Sequence, residues 1–148
     1  MFHSSRFFSN LCVFLLRLPK SMKKIVESVT SNVRTGQVWL NPGGGTSKIK
    51  RSDEEMLSYV RGHSRMYLPM SILVEAVARW RGKQVTSAEL RRWRPDVFDS
   101  SRGGHSSNTT FLFMTLHKAG YASEIQGAGK AGSPFWVEIF EEPGTASG

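Results

Sequence analysis

The sequence predicts an α+β fold in which three helices are followed by a β-hairpin, with one further helix ahead of them and flexible tails. Three observations carry this expectation. Ile72, Leu73, Ala76, Val77 and Trp80 form a continuous apolar stripe at helical spacing. Thr86 and Glu89 have the spacing of a capping box, in which a hydroxyl and a carboxylate each satisfy a free amide at a helix start. Residues 108–119 form a third helical pattern closed by Gly120. Two apolar runs, 121–125 and 135–140, then flank a tip of glycine, lysine, serine and proline.

The chain has 148 residues, which suits one domain plus tails. Residues 1–51 read as flexible or weakly structured. The first twenty residues contain no acid, and Arg17 interrupts the apolar run 11–16. That run is shorter than the ~20 apolar residues a bilayer crossing needs. Segment 1–21 has the look of a weak signal or transit sequence, of an upstream extension of the reading frame, or of a disordered tail. The last two are preferred, because no small-residue cleavage site follows the run and Met22, before Lys23 and Lys24, would serve as a start. The expected location is cytoplasmic or nucleoid-associated, without a membrane. Residues 33–40 read as one strand, broken by Asn41, Pro42 and three glycines. The string GGGTSK lacks the GxxxxGK[ST] spacing of a phosphate loop and reads as a flexible turn. Lys48, Lys50 and Arg51 then form a small basic cluster, either a solvated linker or a phosphate contact.

The organised domain is expected over 52–141, with a disordered tail at 142–148. Ser52 and Glu55 repeat the capping-box spacing, and Asp53 and Glu54 suit the positive end of a helix dipole, so a helix is expected over 52–61. Pro69 suits the first turn of the next helix, because it has no amide to leave unpaired. Gly82 ends that helix after Arg79 and Arg81. The helix opened by Thr86 stops before Pro95, which pushes Arg94 out of helical geometry. Val97 and Phe98 return to the core, and residues 99–107 form a polar, glycine-rich turn. In the third helix Leu112 and Leu116 are four apart, Ala119 continues their face, and Phe111, Phe113 and Met114 widen it. Ser106 or Ser107 caps its amino end. Trp80 and Trp93 are expected in helix packing.

Charge and residue types bound the function. The formal net charge of +8 favours a polyanionic partner. Cys12 is the sole cysteine, which excludes an intramolecular disulfide and a cysteine-based zinc site. His63, His105 and His117 have no metal-ligand spacing. Between Arg61 and Ser123 the acids are Glu75, Glu89, Asp96 and Asp99, too scattered for a metal-dependent nuclease. No nucleophile elbow and no HExxH motif is present. No enzyme activity, cofactor or metal is therefore expected.

Residues 68–140 resemble the winged helix-turn-helix superfamily. The likeness rests on the stripe ILVEAVARW, the phrase VTSAELRRW, the helix NTTFLFMTLHKAGY and the wing IQGAGKAGSPFWVEI, and it covers about half of the chain. It implies a winged helix, a three-helix core plus a hairpin wing, with double-stranded DNA as partner and a small transcriptional regulator as the function. In such proteins the second helix of the motif enters the major groove with its amino-terminal side chains at the base edges. The resemblance thus places Ser106, Ser107, Asn108 and Thr109 at the bases, and Asn108 either reads adenine or caps the helix. Lys118 would approach the backbone, and Lys130 at the wing tip would reach a minor groove or a phosphate. Arg91, Arg92, Arg94 and Arg102 would supply attraction that falls as salt rises. The link 94–107 exceeds the usual turn of about 3–4 residues. It is either an insertion that touches nucleic acid or a sign that the third helix is oriented differently. Two rivals share these features: a protein-docking module on the same scaffold, and a basic RNA- or ribosome-associated protein. The 52–61 helix offers one surface for a homodimer.

Overall fold

In the computed structural model, residues 18–144 are described, and they form a mixed α+β structure. Helix α1 (Lys20–Asn32) leads into a four-stranded antiparallel meander, β1 (Val38–Leu40), β2 (Thr46–Ser52), β3 (Met56–Arg61) and β4 (Ser64–Pro69), whose spatial order follows the sequence. Then come α2 (Met70–Trp80), β5 (Gln84–Thr86), α3 (Ser87–Trp93), α4 (Pro95–Phe98), a 3-10 turn (Ser100–Arg102), α5 (Ser107–Lys118) and β6 (Trp136–Glu138). β5 and β6 pair antiparallel, with Val85 opposite Val137. The expectations for the first seventeen residues, Cys12 among them, and for 145–148 lie outside the described residues.

The amino-terminal third differs from the sequence expectation. Residues 20–51, expected to be weakly structured, supply α1, β1 and β2. α1 buries Ile25, Val26 and Val29, one face of a helix. The strand expected over 33–40 is confined to Val38–Leu40, because 34–37 turn first, and the glycine string closes the β1–β2 hairpin.

The helix expected over 52–61 is the end of β2, a turn and β3. The residue that collects the free amides is Asp53, not Ser52. Its Oδ1 accepts from the amides of Glu55 and Met56, each at 2.9 Å, which closes a turn. Arg51 braces that turn through Asp53 at 2.6 Å and Glu55 at 3.6 Å. The buried Ser52 hydroxyl caps nothing. Without this helix, the surface assigned to a homodimer does not exist in the expected form.

From Pro69 onward the three expected helices are present, whereas the expected hairpin is joined only by isolated bridges and its second arm, β6, pairs with β5. The stripe Ile72, Leu73, Ala76, Val77 and Trp80 is buried. The capping box is complete: Thr86 Oγ1 accepts from the Glu89 amide at 3.0 Å, and Glu89 Oε1 from the Thr86 amide at 3.1 Å. Trp80 meets Trp93 edge-on at 5.2 Å, and Trp93 stacks on Phe98 at 6.3 Å, so both tryptophans pack helices as expected. After Gly120 the chain bridges to the β6 segment at Ala122–Ile139 and Gln126–Trp136. Residues 128–133 form a hydrogen-bonded turn, because the Ser133 carbonyl accepts from the amides of Ala128, Gly129 and Lys130 at 3.0, 2.9 and 3.3 Å.

The long link before α5 is compact. The Gly104 amide donates to the Asp99 carbonyl at 2.9 Å, and the His105 amide to the Val97 carbonyl at 3.0 Å. A Cβ at position 104 would lie 2.6–2.8 Å from backbone atoms of Val97, Pro95 and Phe98.

The sheet and α5 face one another across the core. Trp39, Ile49, Leu57, Tyr59 and Leu68 are buried from the strands, and residues 108–116 are buried along α5. The Tyr59 ring stacks on Phe111 with centroids 3.8 Å apart and planes at 12°, and Trp39 stacks on the same ring at 5.4 Å. The Tyr59 hydroxyl donates to Asn108 Oδ1 at 2.7 Å.

Two outcomes follow from this packing. Burial pushes the Tyr59 phenol up from 10.0 to about 12, against the opposing pull of the Ser107 hydrogen bond and the Arg61 charge. The folded state thus favours the neutral phenol. Its contribution is intact below pH ~10 and is lost as pH rises toward about 12. Denaturant midpoints measured across that window should fall more steeply for the native chain than for Tyr59→Phe. Gly104→Ala should be destabilised by at least ~2 kcal/mol in urea unfolding, since backbone atoms must move to admit the methyl group.

Candidate nucleic-acid interface

Four elements converge on one cleft of about 470 Å³. The end of β3 brings Arg61, α3 brings Arg91, the start of α5 brings Ser106, Ser107 and Thr109, and the segment 129–135 brings Lys130 and Phe135. No carboxylate of a described residue lines it. Arg61, Arg91 and Lys130 make no ion pair with a described residue. A second depression shares Ala88 and Arg91 with this cleft and adds Arg92, Arg102 and Asp99. The Asp99 carboxyl is held below its ordinary range, chiefly by the Ser101 hydroxyl and amide, with the charges of Arg102 and Arg91 adding to the effect. The cleft is therefore positive, and the rim depression is positive with one carboxylate.

Seven of the residues expected at the interface lie on these two connected depressions: Arg91, Arg92, Arg102, Ser106, Ser107, Thr109 and Lys130. They arrive from α3, the 3-10 turn, α5 and the segment 129–135. All three of the hydroxyls are already engaged. Ser106 stands at the N-cap position with helical backbone and makes no side-chain cap; its Oγ pairs with Ser100 Oγ at 2.7 Å. The Thr109 hydroxyl donates to the Ser106 carbonyl at 2.7 Å. Ser107 Oγ donates to Met66 Sδ and lies 3.0 Å from the Tyr59 hydroxyl.

Three expected residues fall elsewhere. Asn108 is 1% exposed. Its Oδ1 accepts from Tyr59, and its Nδ2 donates to the carbonyls of Tyr67 at 3.1 Å and Val97 at 3.0 Å. It is neither an exposed base reader nor a cap but a buried clamp between the sheet, α4 and α5. Arg94 is held by Asp96 at 2.9 Å and Glu75 at 3.8 Å, and it lines neither depression. Lys118 sits 5.0 Å over the Trp39 ring, beside a different groove bordered by Val38, Leu40 and Met114.

The larger correction concerns α5 as a whole. Insertion in a major groove requires an exposed helix face, yet residues 108–116 are buried without interruption. The strands that cover them come from the segment that reads as loop and helix in the sequence. Arg61 and Phe135 also line the cleft, and sequence reading did not single them out. Arg61 follows an apolar run before Gly62 and reads as a helix end, and Phe135 reads as one more apolar hairpin residue. Among the described residues no group of three or more His, Cys, Asp or Glu could hold a metal, and no helix is long and apolar enough to cross a membrane.

No family model, no curated protein sequence and no solved structure matches this chain. The functional reading therefore rests on the residues of the cleft.

Asn108→Ala removes the only side chain that joins Tyr59, Tyr67 and Val97, and leaves those buried groups short of partners. Each such loss costs ~1–3 kcal/mol. The variant should lose about 3 kcal/mol or more of stability in urea unfolding. The surface change Arg91→Ala should stay within ~0.5 kcal/mol of the native chain.

Proposed function

We propose that this chain is a winged-helix protein that binds double-stranded DNA through phosphate contacts in the cleft, and acts as a small regulator of transcription. The observation that carries the reading is the meeting of Arg61, Arg91 and Lys130 in a concavity lined by no carboxylate of a described residue. Three cations without a counter-ion among the described residues leave a positive potential for a polyanion to neutralise. Arg91 can engage a phosphate with two parallel N–H donors, and Lys130 meets one as a point charge. The order α2, β5, α3, α5, then a hairpin whose last strand pairs with β5, agrees with a winged helix.

The burial of Asn108 and α5 shapes the mechanism. With no helix face to lay in a groove, base-edge contacts are few and affinity comes from the sugar-phosphate backbone. Such a protein is semi-specific, and its affinity falls steeply with salt. Protein docking is the second reading, and it rests on different residues. Val38 and Leu40 on the edge strand β1 are 59% and 83% exposed, an unusual display for large apolar side chains.

Duplex affinity measured by anisotropy over a range of salt tests the proposal. Log affinity should fall linearly with log salt. Arg91→Ala and Lys130→Ala should each lower the slope by about one phosphate contact, whereas Arg94→Ala should leave it unchanged. A flat slope, or no duplex binding at low salt, removes the DNA reading. A preference for structured RNA over a duplex of equal length replaces it with the RNA-associated one.

A further inference from the structure

We propose that the cleft holds one unstacked nucleotide, with its phosphate on Arg61, Arg91 and Lys130 and its base against the ring of Phe135. This deepens the reading of the cleft as a phosphate site and rests on it.

The cleft is more than a charged surface. Its volume of about 470 Å³ lies in the range of small-ligand pockets, ~300–1,000 Å³. Among the described residues Phe135 is the one aromatic side chain in its lining, and no described aromatic ring stacks on it. Glycines lie beside that ring on two elements. A Cβ at Gly129 would fall 2.3 Å from Phe135 Cε2, and one at Gly43 would fall 3.9 Å from the same atom. Any larger residue at 129 would therefore displace the ring. The Gly129 backbone thus packs against the ring, and Phe135 is half-buried against the core, so the part of the ring left to the cleft is the part a base would meet.

The backbone beneath Lys130 and Phe135 is held in place. The Ser133 carbonyl ties down the backbone of Lys130, and the Phe135 carbonyl accepts from the Ser87 amide at 2.9 Å, at the start of the helix that carries Arg91. A site ordered before binding spends less of its interaction energy on ordering. Phosphate-binding cations beside an aromatic ring match a nucleotide, because every base has a π-face and every nucleotide a phosphate.

This chemistry separates nucleic-acid forms. Inside a duplex the bases are stacked and paired, and one must leave the stack before it can reach a ring on a cleft wall. An unpaired end or tail needs no such step. The cleft should therefore prefer a duplex carrying a short single-stranded tail to the same duplex with blunt ends, while Arg92 and Arg102 on the adjoining rim attract either one.

Anisotropy with the full chain and three labelled DNAs tests this: a blunt duplex, the same duplex with a short tail, and the same tail made abasic. The tailed duplex should bind about tenfold more tightly than the blunt one. The abasic tail should lose that advantage, a result that does not depend on how any variant folds. Phe135→Leu should lose it too, whereas Phe135→Tyr should keep it. Excess nucleoside monophosphate that removes the advantage shows that the cleft also takes a free nucleotide; an advantage that survives the competitor marks a strand-borne nucleotide as the ligand. Both outcomes support the site. Equal binding of the three DNAs overturns this inference and leaves the duplex reading standing. Tail-dependent binding without any affinity for blunt duplex overturns the duplex reading and keeps the inference. No binding to any DNA removes both.

Discussion

The contact between Tyr59 and α5 organises this molecule. The phenol ring lies flat on Phe111, and its hydroxyl donates to Asn108, so one β3 residue makes both an apolar and a polar contact with the same helix. Asn108 extends the clamp to the carbonyls of Tyr67 on β4 and Val97 on α4. Buried polar groups that satisfy one another in this way admit few alternative arrangements, because any shift leaves a desolvated partner unpaired. The register of the sheet, the position of α5 and the path of the link before it are thus coupled. Trp39 covers the other part of Phe111, and Lys118 covers Trp39.

That clamp sets what is left for function. With residues 108–116 of α5 enclosed, Ser106 and Ser107 just before them reach the cleft, beside α3 and the 129–135 segment. The charged residues divide accordingly. Arg51 and Arg94 are tied to neighbouring carboxylates and serve the fold. Arg61, Arg91 and Lys130 have no such partners among the described residues and face a shared concavity. A net charge of +8 says only that cations are in excess. Their separation into paired and unpaired sets gives the excess a direction.

Legibility differed sharply between the two halves of the chain. For the helices after Pro69, local signals and tertiary structure agree. The apolar stripe of α2, the Thr86–Glu89 box and the stop before Pro95 each depend on residues within a turn or two of one another, and such signals survive any tertiary setting. The segment 52–61 failed for a physical reason. Ser52 and Glu55 have capping-box spacing, but Asp53 takes the free amides into a turn. Leu57 and Tyr59 then alternate inward at a period of two, and their neighbours Met56 and Val60 are apolar as well, so a helical stripe reads almost equally well. Strand pairing decides such cases, and pairing with β2 and β4 is invisible to a local window.

The sequence by itself determined the elements with short-range causes: α2, α3 with its cap, the approximate span of α5, the scarcity of acids around the basic residues, and seven of the cleft and rim residues by type. Tertiary structure alone decided how they are used. It buried Asn108 under Tyr59, paired Arg94 with Glu75 and Asp96, sent Lys118 to the face of Trp39, and brought Arg61 and Phe135 to a site that their local patterns do not suggest. The difference is one of range. Helix caps and stripes depend on neighbours within a few residues, whereas burial and ion pairing depend on partners as far apart as Tyr59 and Asn108, which meet only when the sheet closes on α5.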